Sequence, residues 1–225
     1  MSKSNKQIFR DFIEKVMNTQ QFELVHDYLT EECVFHTPPY VGVGFMRDVT
    51  SGDKILIREI APNSPAADHL QEGDELVKVS DERGVQETYD HLSTSVWGPG
   101  KAGTPITLTI RREGKDFDVT LTRDRIEVFD TTLSESLEIW KHYMRSTWPD
   151  QNSEIVLLVE EGDHLAYYML VSGTNADYDQ PAVWAESGIV RFEDGKIAEW
   201  WSVEDDLSQI RQLGYQIEEP VKEAA

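Results

Sequence analysis

Apolar residues recur at helical spacing from Ile8 to Val16 (Ile8, Phe9, Phe12, Ile13, Val16), which predicts an amphipathic helix. Residues 22–29 predict a second, shorter helix, and Cys33-Val34-Phe35-His36 reads as a strand. Pro38-Pro39 breaks the pattern, because proline and the residue before it both resist helix. The period then shortens to two. Strands are predicted over 54–60 and 73–79, a short helix opening at 62–67, a longer one over 86–97, and a hairpin of 106–111 and 117–121 around Glu113-Gly114. After Asp130 the helical period returns in Leu133, Leu137, Ile139, Trp140, Tyr143 and Met144, ending before Trp148-Pro149-Asp150. Three or four strands follow, over 155–160, 164–173, 182–192 and 196–203, the last two joined by the tight turn Glu193-Asp194-Gly195. A short helix over 207–213 closes the pattern.

Helix, helix, strand is an opening whose completion comes only after residue 130, with a different, β-rich pattern between. The expected organisation is one α+β domain in two parts, residues 1–36 and 130–217, interrupted by an inserted domain over 37–129 and followed by a tail over 218–225. A chain of 225 residues is long enough for two modest cores. Its hydrophobic fraction of 39%, with 10% aromatics, is that of a folded soluble protein. No apolar run reaches bilayer length and no secretory signal pattern precedes the first helix, so the expected location is the cytoplasm, with no membrane partner.

The formal net charge is −21, about two thirds of it in residues 130–225. Such a chain repels phosphate backbones, which argues against nucleic acid and anionic membrane surfaces as partners. The acidic segment is either a solvated surface or a field that steers a cationic ligand. Cys33 is the sole cysteine, so no internal disulfide can form, and its apolar neighbours favour a buried, inert thiol. There is no paired His/Cys spacing for a metal, no glycine-rich phosphate loop ending in Lys-Ser/Thr and no Gly-x-Ser-x-Gly elbow.

Tyr40-Val41-Gly42-Val43-Gly44-Phe45 alternates glycine with apolar residues just before a β-type run. The amides of Val43, Gly44 and Phe45 can then converge on a carboxylate; the plainer reading is a pair of turn glycines. With Pro62-Asn-Ser-Pro-Ala-Ala67 and Gly73-Asp-Glu-Leu-Val-Lys-Val79 in order, the stretch resembles a PDZ domain, and its helix-loop-hairpin is most similar to PDZ domains of bacterial carboxy-terminal processing proteases. The resemblance implies capture of a protein's C-terminal peptide by Gly42, Val43, Gly44 and Phe45, with Tyr89, Ser93 and Val96 on the helix lining the groove. Ser93 stands where a bulkier apolar contact is common in such domains.

The outer parts, over residues 6–36 and 131–215, resemble the SnoaL-like polyketide (ester) cyclases of the nuclear-transport-factor-like superfamily. The residues that carry this are Trp148-Pro149-Asp150, Glu161-Gly162-Asp163, Gly173-Thr174, the run Asp194-Gly-Lys-Ile-Ala-Glu-Trp-Trp-Ser-Val-Glu-Asp205-Asp206-Leu207 and Gln212-Leu213-Gly214. The resemblance implies a cone-shaped, curved antiparallel sheet with helices around an apolar pocket. It also implies acid-base chemistry on a small apolar carbonyl compound, of cyclase, isomerase or lyase type, without metal or cofactor. Asp205 matches the family's catalytic aspartate and His36 a histidine that ends the first strand; Trp148, Asn175 and Trp201 would line the pocket. Strand alternation puts Glu199, Trp201, Val203 and Asp205 on one face. Asp205 reads equally as the N-cap of the last helix, and His36 as a hydrogen-bonded wall residue. Asn175 replaces a histidine frequent in relatives, so it can orient a ligand but not titrate. Trp184, Trp200 and Trp201 offer apolar area for a homodimer through the outer face of the sheet. A second reading of the whole is a non-catalytic adaptor, with the peptide groove as the working site and the cone as a dimerisation body.

Overall fold

The computed structural model describes residues 3–48, 54–81, 84–87, 100–127 and 130–216. In chain order the first elements are α1 (Asn5–Phe12), running on as a π-helical turn (Ile13–Met17), a 3₁₀ helix (Phe22–Asp27) and β1 (Leu29–His36). Next come β2 (Tyr40–Gly42), β3 (Phe45–Asp48), β4 (Leu56–Ile60), β5 (Glu75–Asp81), β6 (Gly84–Glu87), β7 (Pro105–Arg112), β8 (Lys115–Thr122) and β9 (Asp124–Ile126). The last group is β10 (Thr131–Thr132), α2 (Leu133–His142) with a second π-helical turn (Tyr143–Thr147), β11 (Asn152–Glu161), β12 (His164–Asn175), β13 (Gln180–Glu193), β14 (Lys196–Glu204) and α3 (Asp206–Gln212). The chain divides into two compact units, Met1–His36 with Asp130–Ala225, and Thr37–Phe129.

The first unit is α+β. Its curved sheet runs β10-β1-β14-β13-β12-β11, with β1 parallel to β14 and every other neighbour antiparallel. Ser4 caps α1 by accepting from the Gln7 amide, and Ile8, Phe9, Phe12, Ile13 and Val16 all pack into the core, as their spacing requires. Thr132 and Glu135 form a capping box that fixes the start of α2. Phe9 packs on Tyr167 at 4.9 Å and on Trp200 at 5.6 Å between ring centroids, tying α1 to the concave face. Cys33 is buried, and desolvation pushes its thiol up to about 12, which leaves it inert. The Asp194-Gly195 turn has φ of 50° and 79°, the mirror-image geometry that fits a two-residue hairpin.

The second unit is β-rich. Its main sheet runs β3-β4-β5-β7-β8, with β6 on β5, and β2 pairs separately with β9. Glu113-Gly114 turns the β7–β8 hairpin with φ of 52° and 76°. The predicted helix opening at 62–67 is instead a series of turns, because Asn63 takes a φ of 60° and the Ala66 amide donates to the Val43 carbonyl rather than extending a helix. The helix predicted over 86–97 begins in the wrong class, since Gln86 and Glu87 belong to β6; residues 88–97 lie outside the described ones.

Candidate functional site

The sheet of the first unit curves over a cavity of about 110 Å³, room for several waters or a small ring. Both π-helical turns open onto it, with Ile13 and Met17 from the first and Tyr143 from the second. A π turn widens the helix end by one residue and re-aims its side chains, and such turns concentrate at functional sites. Phe35, Trp140, Met169, Val171 and Trp200 supply apolar wall, and Gln151, Ser153, Ser202, Glu186 and Glu204 supply the polar groups.

Glu186 and Glu204 are direct cross-strand partners on β13 and β14. Antiparallel partners share a face, so the two carboxylates meet on the concave side. Each is held by an aromatic donor: Tyr167 Oη donates to Glu186 at 2.6 Å, and Trp184 Nε1 donates to Glu204 at 3.0 Å. Trp200 Nε1 in turn donates to the Tyr167 hydroxyl at 2.8 Å, which leaves that hydroxyl its own proton for Glu186. Gly188 makes room for this chain. A Cβ there would lie 2.6 Å from Tyr167 Oη and 2.2 Å from the Trp201 carbonyl oxygen.

Burial pushes the Glu186 carboxyl up to about 7, with the Glu204 charge adding to it and the Tyr167 hydrogen bond opposing it. Glu204 is displaced upward too, by burial and then Asp206, although its exposed surface lets water offset part of the effect. Burial, followed by Glu204, pushes Tyr143 up to about 12, so its hydroxyl stays protonated. One cavity carboxyl is thus poised to gain or lose a proton at neutral pH, with a neutral phenol lining the same cavity.

Asp205 and His36 are not brought together. Asp205 is exposed and caps α3, its Oδ1 accepting from the Ser208 amide at 3.0 Å. His36 lies on the convex face, stacked on Trp201 at 4.4 Å with 11° between planes. Its Nδ1 is 3.0 Å from Asp130 and its Nε2 3.0 Å from Glu199. Arg191 Nε also donates to Glu199 at 2.6 Å, and Arg191 first, then His36, holds that carboxyl below its usual range. The cause is the phase of β14: Trp200, Ser202 and Glu204 face the cavity, so Glu199, Trp201 and Val203 face away. Two adjacent tryptophans leave that phase ambiguous in the sequence.

Of the expected pocket residues, Trp201 is therefore on the other face, and Trp148 and Asn175 are not among the residues that line this cavity. Trp148 is 1% exposed and packs on Trp184 at 4.8 Å. Asn175 Oδ1 accepts from the amides of Asp177 and Tyr178, closing the turn after β12. Asp150 accepts from both the amide and hydroxyl of Thr174, which explains the spacing of Trp-Pro-Asp and Gly-Thr. Glu186 was missed. Its signal was its phase with Ala182, Trp184, Val190 and Phe192, a carboxylate in an otherwise apolar face of a strand.

In the second unit Gly44 takes a φ of 89°, and a Cβ there would overlap Ser64 at 2.2 Å. The Val43 and Gly44 carbonyls accept from the Ala66 and Ala61 amides, with Ser64 Oγ also donating to Gly44. Val43 and Phe45 are core residues. Burial pushes the Tyr40 hydroxyl up to about 12, with the Gly44 backbone opposing the shift. Tyr89, Ser93 and Val96 lie outside the described residues. Among the described residues no group of three or more His, Cys, Asp or Glu side chains is arranged to hold a metal ion, and no helix is long and apolar enough to cross a membrane.

The family model of SnoaL-like polyketide cyclases matches residues 133–213, and that of the PDZ domain matches residues 39–122. Among solved structures, IdmH from Streptomyces antibioticus, a candidate polyketide cyclase, is 13% identical with a TM-score of 0.51 over 95% of this chain and 100% of its own. A loop-truncated variant of IdmH is 15% identical with a TM-score of 0.50 over 94% and 100%. A candidate polyketide cyclase from Acidithiobacillus ferrooxidans is 13% identical, with a TM-score of 0.48 over 95% and 96%. No curated protein matches the chain. The first unit thus has the α+β cone fold of SnoaL-like proteins.

Proposed function

We propose that the first unit binds a small apolar carbonyl compound in its cavity and moves a proton within it without a cofactor. The observation that carries this reading is the Glu186 carboxyl, poised near neutrality inside an aromatic-walled cavity and oriented by Tyr167. In its ionised form Glu186 takes a proton from the carbon next to the carbonyl, and the C–H electron pair passes into an enolate. Where the compound carries a second carbonyl, the enolate carbon bonds to that carbonyl carbon, its π pair moves onto oxygen, and the same carboxyl returns the proton to the alkoxide; otherwise the proton returns to the α-carbon. Tyr143 and Ser202 offer hydroxyl donors to the oxygen on which charge develops. Solvent-deuterium exchange at the α-carbon of cyclohexanone and 2-tetralone, followed by NMR, tests this. The wild type accelerates exchange and Glu186→Gln loses a factor of roughly 10²–10⁴; absence of both acceleration and binding rejects the reading.

The second unit is proposed as a peptide-recognition module coupled to the cavity, a reading that rests on the PDZ match and the Gly42–Phe45 loop. Apolar C-terminal peptides then bind, and amidation of the terminus removes most of the affinity. A homodimer is proposed through the convex face, where Leu157, Val159, Tyr168, Leu170, Ile189 and Val203 are exposed apolar residues. Trp184 and Trp200, expected for that role, are buried within the unit. The adaptor reading keeps these two features and dispenses with the chemistry; it is favoured if peptides bind while cavity variants change no property of any ligand.

A further inference from the structure

We propose that the ligand of this cavity carries a small organic cation, a protonated amine, seated between the Glu186–Glu204 pair and the aromatic walls. The inference rests on the small-molecule reading above and names the ligand class. Among the described residues that line the cavity there is no Lys, Arg or His, while two carboxylates sit as cross-strand neighbours. Gln151 also lines the cavity, and its Oε1 is buried with no hydrogen-bond partner. An orphaned buried acceptor calls for a donor.

The walls fit the same ligand. Phe35 and Trp140 meet edge to face at 5.1 Å and 88°, and Phe35 stacks on Trp200 at 5.9 Å, so aromatic faces and edges turn around one corner of the space. Aromatic faces attract ammonium groups, and more strongly where water is excluded. An anion there would meet two carboxylates and no counter-charge. A carbonyl compound that also carries an ammonium group answers both the pair and Gln151.

Amine binding has a proton signature. Glu186 faces Glu204 from β14, Tyr167 from β12 and, across the cavity, Tyr143; Asp206 acts on Glu204. A cation beside the pair favours the ionised form, so a bound amine expels the proton that the empty pair retains at neutral pH.

The test is calorimetry at pH 7 in two buffers of different ionisation enthalpy, with benzylamine, benzyl alcohol and benzoate as probes. Benzylamine is expected to bind at least about tenfold more tightly than benzyl alcohol, with benzoate not binding, and to release protons into the buffer. Glu186→Gln, and independently Glu204→Gln, are expected to remove most of the amine preference, and Glu186→Gln the proton release. Equal affinity for the three probes, preference for benzoate, or amine binding indifferent to both substitutions overturns the inference. Deuterium exchange of the ketones with no amine preference overturns it while sparing the proposed function; no binding or exchange with any probe rejects both.

Discussion

Glu186→Gln is expected to stabilise the protein above neutral pH and to leave it nearly unchanged in mild acid. The carboxyl moves from its ordinary 4.5 to about 7 on folding. The folded state therefore holds the proton where the unfolded chain has already released it, and stability falls as pH rises from about 4.5 to about 7, then levels. At about 1.4 kcal/mol per pH unit this gap amounts to about 3 kcal/mol, an upper limit because Glu186 keeps part of its surface accessible. Glutamine has nearly the same shape, still accepts from Tyr167 and carries no charge, so it removes that penalty without opening a void. Thermal melts of both proteins between about pH 4.5 and 8.5 should diverge progressively, the variant melting several degrees higher at the alkaline end. Parallel curves, or a variant destabilised at every pH, would refute the reasoning about the Glu186 carboxyl.

Asp205→Ala should cost about 1 kcal/mol in stability, the worth of an N-cap, with ketone exchange and ligand affinity unchanged; lost exchange in a folded variant would return Asp205 to the chemistry. Gly188→Ala should cost about 2–3 kcal/mol and impair ligand binding, because the added methyl meets the Trp201 carbonyl and the Tyr167 ring, and the backbone oxygen cannot swing away; chemical denaturation measures it. Removal of residues 37–129 behind a short linker should leave a cooperatively melting first unit, since His36 and Asp130 are in side-chain contact and Phe35 pairs with Thr131. An insoluble product would count against an independent outer fold.

The α+β class and the curved sheet were legible because long periodic segments dominate: α1, α2 and the last four strands all declare themselves by spacing, and the Asp194-Gly195 turn fixes one hairpin. What alternation cannot supply is which of its two phases faces inward. In β14, Trp200 and Trp201 give both phases an aromatic and both an acid, and only pairing to Val190 and Gly188 decides between Glu204 and Asp205. In β13 the phase was unambiguous, and Glu186 could have been found as the charged member of the apolar set. The turns at 62–67 were misread as a helix because Pro and Ala suit a first helical turn, whereas Ala66 finds its partner at Val43, 23 residues upstream, a long-range bond invisible to local propensity. His36 was correctly placed at a strand end, but a histidine with carboxylates on both nitrogens and a tryptophan under its ring is recognisable only in three dimensions.

Titration of the Glu186 carboxyl carbon by NMR, in wild type and in Glu204→Gln, bears most directly on the claim that this cavity holds a group poised for proton transfer. The account predicts a midpoint near 7 for the wild type, and a lower one in the variant, where the neighbouring charge is gone. A Glu186 that titrates in the ordinary carboxylate range, with or without Glu204, would contradict it.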